Sequence, residues 1–68
     1  MSAPTQPVKA SDAWDCAAKV FTLALELEFD AYSFRRAGFT VFATHLKNLA
    51  IAMRTSARNL ASVVPDVE

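Results

Sequence analysis

The chain has a single cysteine, a single glycine and no long apolar run among its 68 residues. One thiol, Cys16, cannot form an intrachain disulfide, and this favours a reducing compartment. One glycine, Gly38, excludes a glycine-rich phosphate-binding loop. Every long apolar stretch is interrupted by polar residues, so we expect no membrane span. The first ten residues also lack the apolar centre of a signal peptide, and the sequence therefore predicts a soluble, cytoplasmic protein.

The chain also lacks net charge. Its seven basic and seven acidic side chains cancel, so net charge gives no reason to expect nucleic acid or an anionic membrane as a partner. The two signs are nevertheless segregated, because acidic residues dominate 12–30 and basic residues dominate 35–58. This segregation is typical of two helices that lie side by side in opposite directions.

Apolar side chains, by contrast, are abundant and make up 53% of the residues. Bulky residues recur at alternating steps of three and four in each half of the chain, which keeps them on one edge of an α-helix. We predict that these residues form the core or an oligomer interface. They are Trp14, Phe21, Leu25, Phe39, Phe42, Leu46, Leu49, Met53 and Leu60.

Gly38 separates the two runs of bulky residues, which we call ladders, and marks a turn. A glycine just beyond a helix adopts the left-handed conformation at little cost, and Phe34 and Phe39 then occupy the two positions that touch across such a cap. We therefore predict one helix at about 12–37 and a second at about 40–63. The alternative is a single long helix that bends at Gly38.

The ends of the predicted helices follow from local signals. Residues 1–10 and 65–68 are predicted to be tails on either side of a helical hairpin at 11–64, and Pro65 ends the second helix. The predicted N-caps are Ser11 or Asp12 for the first helix and Thr40 for the second.

The first helix carries a further ladder, which is rich in alanine. Its members are Ala13, Ala17, Val20, Ala24, Leu27, Ala31 and Phe34. Two seams on one helix imply two helical neighbours, although the sequence does not say which seam faces the other half of the hairpin. A hairpin of this size leaves apolar surface uncovered. We therefore predict an all-α antiparallel two-helix hairpin that dimerises into a four-helix bundle.

Glu28 interrupts the bulky ladder of the first helix, where a carboxylate needs a polar partner. If the chain folds back at Gly38, a polar cluster forms from Glu28, Tyr32, Arg35 and His45, with Asn48 close by. We interpret this cluster as a network that fixes helix register. An acid–base pair, or a metal site that Glu28 and His45 from two subunits would build, is the alternative. The Glu-x-x-His spacing of metal-binding bundles is missing, so we predict no metal.

Three basic residues, Lys47, Arg54 and Arg58, lie on one side of the second helix with Ile51 among them. We predict that these four residues contact a protein partner; a solvated outer surface that binds nothing is the simplest alternative. Nucleic acid is the alternative, although no aromatic residues interleave the basic ones for base stacking. Attachment to a membrane through Phe39 and Phe42 is a further alternative.

The sequence shows no combination of residues that is spaced convincingly for catalysis. We therefore predict a small non-catalytic interaction module, such as a regulator, adaptor or assembly factor, that needs no cofactor. Its predicted partners are a second copy of itself and an unidentified protein, with nucleic acid as the weaker possibility.

Overall fold

The structure, a computed structural model, describes residues 8–65. They form two α-helices, α1 at Ala10–Arg36 and α2 at Thr40–Ser62, that pack against each other as a hairpin. The prediction of an all-α helical hairpin is thus confirmed, and the alternative of one long bent helix is wrong. Of the two predicted tails, residues 1–7 and 66–68 lie outside the described residues.

α1 begins earlier than predicted because Asp12 supports the preceding turn. The N-cap is Lys9, not Ser11 or Asp12. The backbone N–H of Lys9 donates to the Oδ2 of Asp12 at 3.0 Å. Asp12 therefore acts from the third helical position, where an acidic side chain also interacts favourably with the helix dipole.

The turn between the helices is a glycine-capped helix end. Gly38 has a φ of +97°, in the left-handed region. Its N–H donates to the carbonyl of Arg35 at 3.1 Å, and the N–H of Phe39 donates to the carbonyl of Phe34 at 2.9 Å. These two bonds satisfy carbonyls that the end of α1 would leave unpaired. The rings of Phe34 and Phe39 meet edge to face with centroids 5.8 Å apart, as the sequence predicts.

α2 begins at Thr40 without a side-chain cap. The N-cap position is occupied by Phe39 and not by Thr40. The hydroxyl of Thr44 donates to the carbonyl of Thr40 at 3.0 Å. At the other end α2 stops at Ser62, and Pro65 follows three residues later.

The contact between α1 and α2 is built from alanine. Among residues 8–65 the six buried residues are Ala17, Ala24, Ala31, Ala43, Ala50 and Ala57. They recur every seven residues on each helix. The two sets are also placed symmetrically about Ala37: each lies six, thirteen and twenty residues away from it along the chain. Antiparallel helices joined near that point bring the two sets to the same heights. Because a methyl group occupies little space, the two backbones approach closely, and we call this contact the alanine seam.

The positive φ of Gly38 leads to a prediction for the turn. A Cβ added at Gly38 would meet nothing within 4 Å, so Gly38→Ala costs only the left-handed backbone conformation. We expect a loss of about 1 kcal/mol in the free energy of unfolding. Gly38→Asn should lose less, because asparagine tolerates this conformation better. Urea unfolding followed by circular dichroism measures both losses, and equal losses for the two variants would contradict the assignment.

Candidate interaction surfaces

The alanine seam divides the rest of the hairpin into two broad faces. One residue along a helix is a rotation of about 100°, so the residues that follow and precede a seam alanine lie on opposite flanks of the helix. In two antiparallel right-handed helices that face each other, the residues that follow the seam alanines lie on the same side of the pair. Leu25 and Ile51 therefore share one face, whereas Leu23 and Leu49 share the other.

We call the first of these the aromatic–basic face. Its members are Trp14, Phe21, Leu25, Glu28 and Tyr32 on α1, and Lys47, Ile51, Arg54 and Arg58 on α2. The α1 members and the α2 members of this face lie next to each other across the contact between the helices. Trp14, Phe21 and Arg58 line one groove, in which Ala17, Ala57 and Ala61 also take part. Further along the same face, Arg35 donates to the hydroxyl of Thr44 at 3.5 Å.

An ion pair crosses the middle of this face. The Nη1 of Arg54 lies 3.2 Å from the Oε2 of Glu28, and both side chains are about one-third exposed. Each side chain leans towards the N-terminus of its own helix, and in an antiparallel pair these directions bring the two tips together. The Oε2 atom itself is buried and has no partner with hydrogen-bond geometry. The pair is therefore an electrostatic contact and not a directional bond.

We call the opposite side the apolar face. Its members are Leu23 and Phe34 on α1, and Phe42, Leu49 and Leu60 on α2, all of them at least 39% exposed. The rings of Phe34 and Phe42 meet edge to face with centroids 4.8 Å apart, which joins the two helices on this side. Towards the open end of the hairpin, Cys16, Leu60 and Val63 line a shallow apolar groove.

The residues predicted as core or interface do not form one surface. None of the nine is buried in the hairpin, and they divide between the two faces. Trp14, Phe21 and Leu25 belong to the aromatic–basic face. Leu46 and Met53 are half-buried beside the alanine seam. Phe39 caps α1, and the remaining members belong to the apolar face. Their role in an oligomer interface stays a prediction.

The structure corrects two members of the predicted polar cluster. Glu28, Tyr32 and Arg35 line a common groove with Lys47. His45 and Asn48, however, are exposed. They lie two residues after Ala43 and two residues before Ala50, on the surface of α2 that points away from α1. Within one chain Glu28 therefore faces Arg54 and not His45, and an acid–base or metal role would need the histidine of a second copy.

The basic stripe is less positive than its sequence indicates, because Glu28 offsets the charge of Arg54. Lys47 and Arg58 lie on the same face and are exposed. Ile51, between them, is 40% exposed. Arg36 adds positive charge next to Tyr32 on the same helix. Its Nη1 donates to the tyrosine hydroxyl at 3.3 Å, and its guanidinium carbon lies 5.7 Å from the centroid of the tyrosine ring.

Sequence reasoning missed the alanines of α2. Ala43, Ala50 and Ala57 recur at intervals of seven, as do the alanines of α1. That shared period was a usable signal for the contact between the helices. A search that ranks residues by size and hydrophobicity overlooks it, because alanine contributes least to both measures.

Comparisons with known proteins add no further assignment. No family model, no curated protein and no solved structure matches the chain. Neither α1 nor α2 is long and apolar enough to cross a membrane. Within residues 8–65, no group of three or more histidine, cysteine, aspartate or glutamate side chains is arranged to hold a metal ion.

The Glu28–Arg54 pair leads to a second prediction. A double-mutant cycle with Glu28→Gln and Arg54→Met should give a coupling energy of about 0.5 kcal/mol, because partly exposed pairs are screened by water. The coupling should fall further in 1 M salt, where the Debye length is about 3 Å. Urea unfolding of the four proteins measures it. A salt-independent coupling above about 2 kcal/mol would contradict this description.

Proposed function

We propose that this protein is a small non-catalytic interaction module that works as a homodimer through its apolar face. The observation that carries the proposal is the composition of the buried core. In residues 8–65 that core consists of six alanines, whereas the leucine and phenylalanine side chains of the apolar face are 39–54% exposed. Burial of large apolar side chains is the main source of folding free energy. A second copy would supply that burial.

The exposure of individual side chains supports the same proposal. Leu23, Phe42, Leu49 and Leu60 are 47–54% exposed. Full burial of one such side chain contributes about 1.5–3 kcal/mol, so a second copy that covers this face would stabilise both hairpins.

The chemistry of the apolar face suits a symmetric dimer. An isologous contact brings the same patch together twice, so a patch with many charges of one sign repels its own copy. The apolar face presents leucine and phenylalanine from both helices. The aromatic–basic face presents Lys47, Arg54 and Arg58 along α2. Self-association through the apolar face therefore brings fewer like charges together and yields a four-helix arrangement.

Sedimentation equilibrium on the full chain tests this function. We expect a mass of about twice 7.4 kDa at micromolar concentration, the range of ordinary specific association. The helical circular dichroism signal should weaken on dilution, since the hairpin loses its covered apolar face. A helical monomer whose signal does not depend on concentration would refute the proposal.

A further inference from the structure

The aromatic–basic face carries exposed aromatic and basic side chains that a dimer formed through the apolar face would not cover. Trp14 is 50% exposed, and Phe21 and Leu25 are each 38% exposed. Trp14 and Phe21 line a groove between the helices, and the floor of that groove is formed by small residues, including Ala17 and Ala57. Leu25 lies one turn beyond Phe21 on α1 and borders a neighbouring groove. A groove with alanines on its floor and an aromatic wall on one side can accept the apolar edge of a third helix.

The aromatic–basic face carries more positive than negative charge. Lys47, Arg54 and Arg58 lie along α2, and they are separated by seven and four residues. At 1.5 Å per residue these steps are about 10 Å and 6 Å. Glu28 is the acidic residue that reaches them from α1. A helix in the groove would therefore find a row of positive charge along one side and apolar surface along the other.

We propose that the aromatic–basic face binds an acidic amphipathic helix of another protein. The apolar edge of that helix covers Trp14, Phe21 and Leu25, and its carboxylates face Lys47 and Arg58. Charge complementarity of this kind fixes the register and the choice of partner. This inference goes beyond self-association, because it concerns the opposite side of the hairpin and does not depend on the dimer.

Other occupants fit the same surface less well. A second copy that used this face would bring the basic rows of the two α2 helices into the same interface. Nucleic acid would engage the three basic residues through phosphate and leave the apolar wall uncovered. A bilayer surface is flat on this scale and would not fill the groove between the helices. Each of these occupants is an outcome of the test below.

The test uses three labelled helical peptides of about 20 residues. All three carry the same leucine edge, and the positions that flank it are glutamate, glutamine or lysine. Binding to the full chain is followed by fluorescence anisotropy, and emission from Trp14 reports contact with the groove. We expect the glutamate peptide to bind at least about 10-fold more tightly than the glutamine peptide. The lysine peptide should bind most weakly.

Two substitutions should change this affinity in opposite directions. Arg58→Glu removes one positive charge and adds a repulsive one, so we expect about 10-fold weaker binding of the glutamate peptide. Glu28→Gln removes the negative charge that faces the ligand, so we expect binding to become several-fold tighter. This gain cannot result from misfolding. Lys19→Glu makes the same charge reversal on the outer side of α1 and should have little effect.

The possible results separate the occupants. Equal affinity for all three peptides, or no response to Arg58→Glu and Glu28→Gln, would overturn the proposal. If the chain binds a 20-base-pair DNA duplex or phosphatidylserine vesicles more tightly than the glutamate peptide, the proposal is overturned in favour of nucleic acid or a membrane. Loss of the dimer in Trp14→Ala would mean that a second copy occupies the face. If the chain is monomeric and still prefers the glutamate peptide, self-association fails while this inference stands.

Discussion

Ala50→Leu is expected to lower the free energy of unfolding by about 2–3 kcal/mol or to prevent the hairpin from closing. Ala50 has no accessible surface and lies at the middle of the alanine seam. A leucine there forces the two backbones apart, because the helices pack against each other through the methyl groups of alanine. Overpacking of a tight core typically costs 1–3 kcal/mol, and the seam has little other packing to compensate.

Ala52→Leu is the matched control for this substitution. Ala52 is exposed and lies two residues away on the same helix, so its side chain points away from α1. Alanine and leucine have similar helix propensities, and we expect a change of less than about 0.5 kcal/mol. Urea unfolding by circular dichroism compares the two variants. Equal stability would mean that α1 and α2 do not meet through alanine.

Leu49→Glu is expected to raise the dissociation constant of the dimer on the order of 100-fold or more. Leu49 is at the centre of the apolar face and is 54% exposed in the single hairpin. In an isologous dimer the substitution occurs twice, so two buried leucines are lost at about 1.5–3 kcal/mol each. Two carboxylates would also be taken out of water without partners. Sedimentation equilibrium should show a mass close to that of one chain.

Val41→Glu is the control for the apolar face. Val41 is 71% exposed and lies two residues before Ala43, on the surface of α2 that points away from α1. The same charge is introduced on the same helix, but outside the proposed interface. We expect the mass of a dimer to be retained. A dimer that survives Leu49→Glu, or one that Val41→Glu dissociates, would show that the wrong face has been assigned.

The sequence predicts the turn well because local chemistry determines it. A single glycine, with Phe34 and Phe39 at the contact positions of a capped helix end, indicates both the end of α1 and the geometry that follows. That cap is present, with Gly38 at φ +97°. Residues three and five apart along the chain are sufficient to define it, so no information about distant contacts is needed.

The orientation of the helices about their own axes is harder to predict. Bulky residues such as Phe42 and Leu49 form a regular ladder, and hydrophobic burial would place that ladder against α1. The hairpin instead turns Ala43, Ala50 and Ala57 inward. Close backbone contact favours the small residues, while the bulky ones remain available to another surface. Helical spacing alone does not reveal that choice, because both ladders have it. The seven-residue period of alanine that the two helices share is the signal that indicates it.

The partner of Glu28 shows a related limit. Folding the chain back at Gly38 gives the approximate height of each residue in the hairpin, and this reasoning brings His45 near Tyr32. It does not give the side of α2 from which a residue projects. The actual neighbour is Arg54, whose long side chain reaches back along α2 to the carboxylate. Side-chain direction and length therefore decide the contact more than sequence distance from the turn.

The most direct test of the central claim is an isotope-filtered nuclear Overhauser experiment on a mixture of labelled and unlabelled full-length chains. If two copies cover the apolar face, contacts between chains should appear at the methyl groups of Leu23, Leu49 and Leu60. The methyl groups of Leu25 and Ile51, on the aromatic–basic face, should show none. Contacts between chains at Leu25 and Ile51, or none at any methyl group of a folded sample, would contradict the account.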